Sequence, residues 1–76
     1  MKSVNIKLNT INDVKDFVAK VSKCNFDVDL ISGRYAVDAK SIMGIFSLDI
    51  SKEIRLDAHA DDASEFLKEI DAYIVK

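Results

Sequence analysis

The sequence predicts an α+β fold: a two-layer, open-faced sandwich in the order β-α-β-β-α-β-α. Three observations predict it. Four stretches alternate apolar with polar residues, the pattern of strands with one buried face. Two longer stretches repeat apolar residues at helical spacing. A short apolar run, too brief for an ordinary helix, lies between the third and fourth strands. One apolar face per strand and one apolar stripe per helix are buried most economically by a four-stranded sheet with three helices on one face and solvent on the other.

The elements follow in order. Val4, Ile6 and Leu8 alternate with polar residues as the first strand. Ile11, Val14, Phe17, Val18 and Val21 then recur at helical spacing, with Asn12, Asp13, Lys15, Asp16 and Lys20 on the other side. Thr10 is the expected N-cap, with Asp13 in the place of a capping-box acid. Lys20 and Lys23 suit the negative end of the helix, and Asn25 is placed to close it. Phe26, Val28 and Leu30 alternate against Asp27 and Asp29 as the second strand. Ser32-Gly33 signals a tight turn, and Tyr35, Val37 and Ala39 continue as the third. Ser41 opens a short helix over residues 42–47. Ile54, Leu56 and Ala58 alternate with Arg55, Asp57 and His59 as the fourth strand. Asp61 or Asp62 caps a last helix whose stripe is Ala63, Phe66, Leu67, Ile70, Tyr73 and Ile74. Lys7, Asp29 and Arg55 are expected on the wet face of the sheet.

Composition narrows the function. Seventy-six residues make a single domain spanning 1–76, and a core of that size contributes on the order of 3–5 kcal/mol. A formal charge of −2 with interspersed signs argues against nucleic acid or an anionic membrane as the main partner. No apolar run approaches the ~20 residues of a membrane span. The opening MKSVNIKLNT alternates and lacks the apolar core of a signal peptide. A single cysteine forms no internal disulfide and fits a reducing cytoplasm. No glycine-rich phosphate loop, nucleophile elbow, metal motif or cofactor motif is present, and no catalytic dyad is expected from Asp61-Asp62.

The stretch DAKSIMGIFSLDI, residues 38–50, resembles the regulatory serine segment of HPr, the histidine phosphocarrier of the bacterial sugar phosphotransferase system. The match is tightest from Lys40 to Leu48. Outside it the likeness is one of pattern and length, but it runs through the whole chain. The resemblance implies an antiparallel sheet in the order 1-4-2-3. It also implies the sites. The family carries its phosphate on a histidine at the N-cap of the first helix, within a Gly-x-His-Ala-Arg-Pro type motif. Counting back from Ser41 without a gap puts that histidine at Thr10, its arginine at Asn12 and its proline at Asp13. The segment here reads LNTINDV, so the motif's glycine, histidine, arginine and proline are all absent.

A phosphoryl group leaves an imidazole nitrogen readily, whereas Thr10 forms only a phosphate ester that would end a relay. Asn12 keeps a hydrogen-bonding group but loses the cation. His59, on the polar face of the fourth strand, reads as a solvated strand histidine, and no second His or Cys supports a metal there. The retained features are Ser41, which the resemblance marks as a target of a regulatory serine kinase, and Ile42, Met43 and Phe46, which match an exposed family patch that docks on phosphotransferase proteins and on transcriptional regulators. Two plainer readings stand beside these: Ser41 serves only as an N-cap, and Phe46 packs into the core. Cys24 reads as a small buried hydrophobe.

The expectation is therefore an HPr-like, non-enzymatic, cytoplasmic binding or regulatory protein that does not relay phosphate. The rivals are an atypical phosphocarrier using His59 or Thr10, and a plain interaction domain. The sequence names no particular partner and leaves the oligomeric state open.

Overall fold

The computed structural model describes residues 1–76. Its strands are β1 (Lys2–Ile6), β2 (Val28–Ser32), β3 (Tyr35–Asp38) and β4 (Ile54–Ala58), and its helices are α1 (Ile11–Val21), α2 (Ile42–Phe46) and α3 (Ser64–Glu69), with a 3-10 turn over Asp71–Tyr73. The sheet order is β1-β4-β2-β3, with every neighbouring pair antiparallel. This is the expected architecture.

The strand period explains the two faces of the sheet. Val4, Leu56, Leu30 and Val37 stand opposite one another across the four strands and face the helices. Ile6 pairs with Ile54 on the same face. Val14, Phe17 and Val21 of α1, Ile45 of α2 and Phe66 of α3 close over them, and all are buried. The opposite face carries Ser3, Asp57, Asp29 and Asp38 in one row and Asn5, Arg55, Ile31 and Ala36 in the next.

Several boundaries differ from the sequence reading. β1 ends at Ile6, yet Leu8 beyond it is fully buried, because the connection dips into the core before α1 begins. Phe26 precedes β2 and packs edge-on against Phe66 instead of joining the strand. Ala39 falls one residue past β3 but still bonds β2, its N–H donating to Val28 O. α1 closes at Ser22, whose N–H returns to Val18 O, and not at Asn25. α2 spans Ile42–Phe46, with Ser47 as its C-cap. The N-cap of α3 is Ala63, and Asp62 supports it from one residue earlier by accepting from Ser64 N at 3.0 Å.

Tyr73 and Ile74 leave the helical stripe. α3 stops at Glu69, and the 3-10 turn swings Tyr73 across α1. Its ring meets Phe17 edge-on at 6.0 Å and its hydroxyl donates to Asp16 at 2.5 Å. That bond, reinforced by Lys20, holds the Asp16 carboxyl below the usual range, and it pushes the Tyr73 phenol up to about 12. The following residues line the outer edge of β1, where Ile74 bridges Ile6.

Asp57 also departs from expectation. It lies on the open face of the sheet, but only 5% of it is exposed. It sits on a central strand between Ser3 and Asp29, and the Arg55 side chain reaches it from the next row.

Candidate functional site

Two helix starts carry the residues singled out in the sequence. At α1, Thr10 has extended backbone (φ −134°, ψ 166°) and its Oγ1 accepts from Asp13 N at 3.0 Å. Asp13 reciprocates: its Oδ2 accepts from Thr10 N at 3.3 Å and from Asn9 N at 3.0 Å. The capping box is complete, as the spacing predicts. Its consequence is electrostatic. The amide donors at a helix N-terminus are the natural seat of an anion, and here the chain's own carboxylate stands beside that seat, held by the N–H groups of Asn9 and Thr10 just ahead of the helix.

Lys7 lies in the connection, not on the wet sheet face. Its Nζ is held by Asn9 Oδ1 at 3.2 Å and by the carbonyls of Leu8 and Ile50 at 3.4 Å. Asn12 is exposed. Ile11, placed by its period on the buried stripe, is 60% exposed, because the apolar contact of α1 begins one turn later at Val14. Nothing in the local sequence signals that exposure.

At α2, Ser41 is the N-cap and its Oγ accepts from Gly44 N at 3.2 Å. No acid occupies the first turn. Gly44 is required by close packing: a Cβ there would stand 3.2 Å from Val37 Cβ and 3.3 Å from Ser41 Oγ. Lys40 anchors the approach to the helix. Its backbone N–H donates to Asp38 Oδ1 at 2.8 Å and its Nζ to Cys24 O at 3.2 Å. That second bond links the start of α2 to the end of α1, across a sequence separation that hides it from local reading. Cys24 itself is half-buried, with Sγ donating to Val21 O at 2.9 Å.

The apolar run divides as a short helix laid on a sheet must divide. Ile45 and Leu48 point inward and are buried. Met43 is 76% exposed and Phe46 is 42% exposed, while Ile42 is partly buried against the core. Phe46 is thus a surface residue with one side packed.

His59, the sole histidine, is remote from the α1 start. It follows Ala58, which pairs with Lys2, whereas the chain leaves β1 for Thr10 beyond Ile6, which pairs with Ile54. The two positions lie at opposite ends of the β1–β4 ladder. His59 Nε2 stands 2.8 Å from Asp29 Oδ2.

A 1-4-2-3 antiparallel sheet roofed by three helices is the architecture of the small phosphocarrier-like α+β proteins. The chain belongs to the PTS-HPr family. Residues 13–76 match the family described as PTS HPr component phosphorylation site, so the matched span opens just past Thr10 and Asn12. No curated protein sequence matches the chain. Among solved structures, HPr-C-His from Thermoanaerobacter tengcongensis is 32% identical with a TM-score of 0.80, over 95% of this chain and 89% of that one. The phosphocarrier protein HPr from Bacillus anthracis is 30% identical with a TM-score of 0.72, over 97% and 94%. The Bacillus subtilis catabolite repression containing protein Crh, described as a swapped-domain dimer, is 27% identical with a TM-score of 0.69, over 93% and 88%. No helix is long and apolar enough to cross a membrane.

Proposed function

We propose that this chain is a cytoplasmic, HPr-like binding protein that carries no phosphate on histidine and acts as a regulator, not as an enzyme. One observation carries the reading: the Asp13 carboxylate is fixed beside the α1 N-terminus, held by the N–H groups of Asn9 and Thr10, where the family's resemblance places a phosphate. A second anion there would meet a fixed negative charge with no arginine to offset it. The only imidazole lies at the far end of the sheet. Phosphotransfer through Thr10 or His59 is therefore disfavoured, by ester stability in one case and by position in the other.

The working surface is then α2. Met43 and Phe46 present adaptable and aromatic area beside Ile42, the chemistry that protein interfaces favour. Their partners are proteins: components of a phosphotransferase system, a serine kinase, or a transcriptional regulator. Ser41 is the control point. Phosphorylation adds about 1.5–2 negative charges at the positive end of α2, where no acid competes. The regulatory reading accords with the catabolite-repression description of the Bacillus subtilis relative.

Two labelling reactions and one binding assay test this. With enzyme I and labelled phosphoenolpyruvate, the protein stays unlabelled; acid-labile label would return it to the phosphocarriers. With an HPr-directed serine kinase and ATP, acid-stable label appears and is lost in Ser41→Ala. Pull-downs compare wild type, Ser41→Asp and Phe46→Ala. Identical partner sets for all three, with no kinase labelling, would leave only a plain interaction domain.

A further inference from the structure

The two edges of the sheet are finished differently. The outer edge of β1 is covered: Ile6 bridges Ile74, Lys7 N donates to Tyr73 O at 2.8 Å, and Val75 N donates to Asn5 O at 2.9 Å. No strand or tail covers the outer edge of β3.

Register shows what that edge offers. Tyr35 pairs with Ser32 across the two-residue turn, and Ala39 N donates to Val28 O at 2.9 Å. Backbone groups alternate sides along an antiparallel strand. Residues 35, 37 and 39 therefore turn theirs toward β2, and Arg34, Ala36 and Asp38 turn theirs outward. The Asp38 carbonyl is taken by Ser41 N at 2.9 Å. The Ala36 N–H and C=O, the Asp38 N–H and the Arg34 C=O face solvent.

The side chains of this edge are electrostatically incomplete. Asp57, Asp29 and Asp38 stand directly opposite one another on three adjacent strands, an unfavourable juxtaposition of like charges. Asp57 is met by Ser3 Oγ at 2.7 Å and Arg55 at 3.2 Å, and Asp29 by His59. Asp38 receives only a backbone N–H, from Lys40. The next place in this row, beyond the edge, is vacant, and a cation is what it lacks.

We infer that β3 pairs antiparallel with β3 of a second copy about a two-fold axis at Ala36. Ala36 and Asp38 share the open face and Arg34 stands in the turn just before the strand, so the segment reads cation, neutral, anion at alternate positions and is complementary to itself. In this register Ala36 opposes Ala36 of the second copy, and Arg34 of each copy opposes Asp38 of the other. The outward backbone groups named above pair in the same register. On the helix side, Tyr35, 72% exposed, opposes Val37, an aromatic with β-branched pair of the kind that stabilises sheets. One short strand buries far less than the ~1,600 Å² of a standard interface. The dimer is accordingly weak, with Kd on the order of 0.1–1 mM, and it loosens with salt because its ion pairs are exposed.

Sedimentation velocity at low salt, from about 20 μM to about 2 mM, brackets that range. Dimer is expected to accumulate across it, with concentration-dependent amide shifts centred on residues 34–39. Arg34→Asp and Asp38→Arg are each monomeric alone, dimerise when mixed, and dimerise again when combined in one chain. Ala36→Pro removes an outward N–H at a position where an edge strand tolerates proline, and it abolishes the dimer while thermal stability holds. Should a charge variant fail to fold by circular dichroism, Ala36→Pro decides alone. A wild type that is monomeric at the top concentration, a dimer that survives Arg34→Asp or Ala36→Pro, or shifts centred on β1 would each overturn the inference.

Discussion

Phe17→Ala and Phe46→Ala remove the same atoms from two sites of opposite character, and the docking reading depends on the difference. Phe17 has no exposed surface and makes the edge-on contact with Tyr73. Truncating such a side chain costs about 3–5 kcal/mol. For 76 residues, the general range of about 0.05–0.15 kcal/mol per residue gives a total of roughly 4–11 kcal/mol. Phe17→Ala therefore consumes much of the stability. In urea, with a slope near 1 kcal/mol/M, its midpoint falls by about 3–5 M, which leaves little native baseline. Phe46 is 42% exposed, so little more than half of the ~1.5–3 kcal/mol for full burial is at stake. The better helix propensity of alanine offsets part of it, by about 0.5 kcal/mol. The expected loss is about 0.5–1 kcal/mol, a midpoint shift below about 1 M. Parallel urea titrations followed by circular dichroism measure both. If Phe46→Ala cost more than about 3 kcal/mol, Phe46 would be a core residue and the α2 surface would lose its largest contact.

The other predictions are smaller. Ser41→Ala leaves Gly44 N–H without its partner and costs about 1 kcal/mol, whereas Ser41→Asp keeps a capping oxygen and stays within about 0.5 kcal/mol of wild type, both by thermal melts. Thr10→Asp sets a second carboxylate beside Asp13 and destabilises; adding Asp13→Asn reverses part of that loss. Gly33→Ala costs about 1–2 kcal/mol from backbone strain alone, since Gly33 has φ +60° and open space around its would-be Cβ. Tyr73 has a folded pKa raised to about 12, so its contribution is fully present below the unfolded value near 10 and is lost as pH rises through 12. Tyr73→Phe should lack that step in alkaline melts. Asp16, with its folded pKa lowered, acts in the opposite direction: its contribution holds above the ordinary carboxylate range and disappears as pH falls through the folded value.

The strands, α1 and both caps were legible because their signals are local. Alternation at Ile54, Leu56 and Ala58, helical spacing from Val14 to Val21, and Thr10 with Asp13 each lie within one element. What escaped reading depends on contacts between distant residues. Asp57 reads as a solvated strand residue, and its burial follows from lying between Ser3 and Asp29 with Arg55 against it. Tyr73 continues the helical period of α3, but its partner Asp16 is 57 residues away. Lys40 carries no motif, and its role rests on a carbonyl at the end of another helix. The candidate site was legible where it rests on capping chemistry, at Thr10, Asp13 and Ser41. The exposure of Ile11 was not, since the helical period cannot say where the sheet's apolar contact stops.

The proposed function asks the two helix starts to treat an anion differently, and their charges differ accordingly. Each helix leaves its first N–H groups without intrahelical partners. At α1, Thr10 Oγ1 answers one donor, Asp13 N–H, and the Asp13 carboxylate, held by Asn9 and Thr10 N–H, meets the positive end of the helix dipole. A phosphate arriving there meets a like charge. At α2, one neutral oxygen answers one donor, Gly44 N–H, and the first turn holds no acid. A phosphate on Ser41 brings oxygens to donors still free and charge to a helix end that has none. On the proposed reading, the absence of a relay at Thr10 and a role for Ser41 would be two sides of one electrostatic arrangement, set by Asp13 in the first turn of α1 and no acid in that of α2.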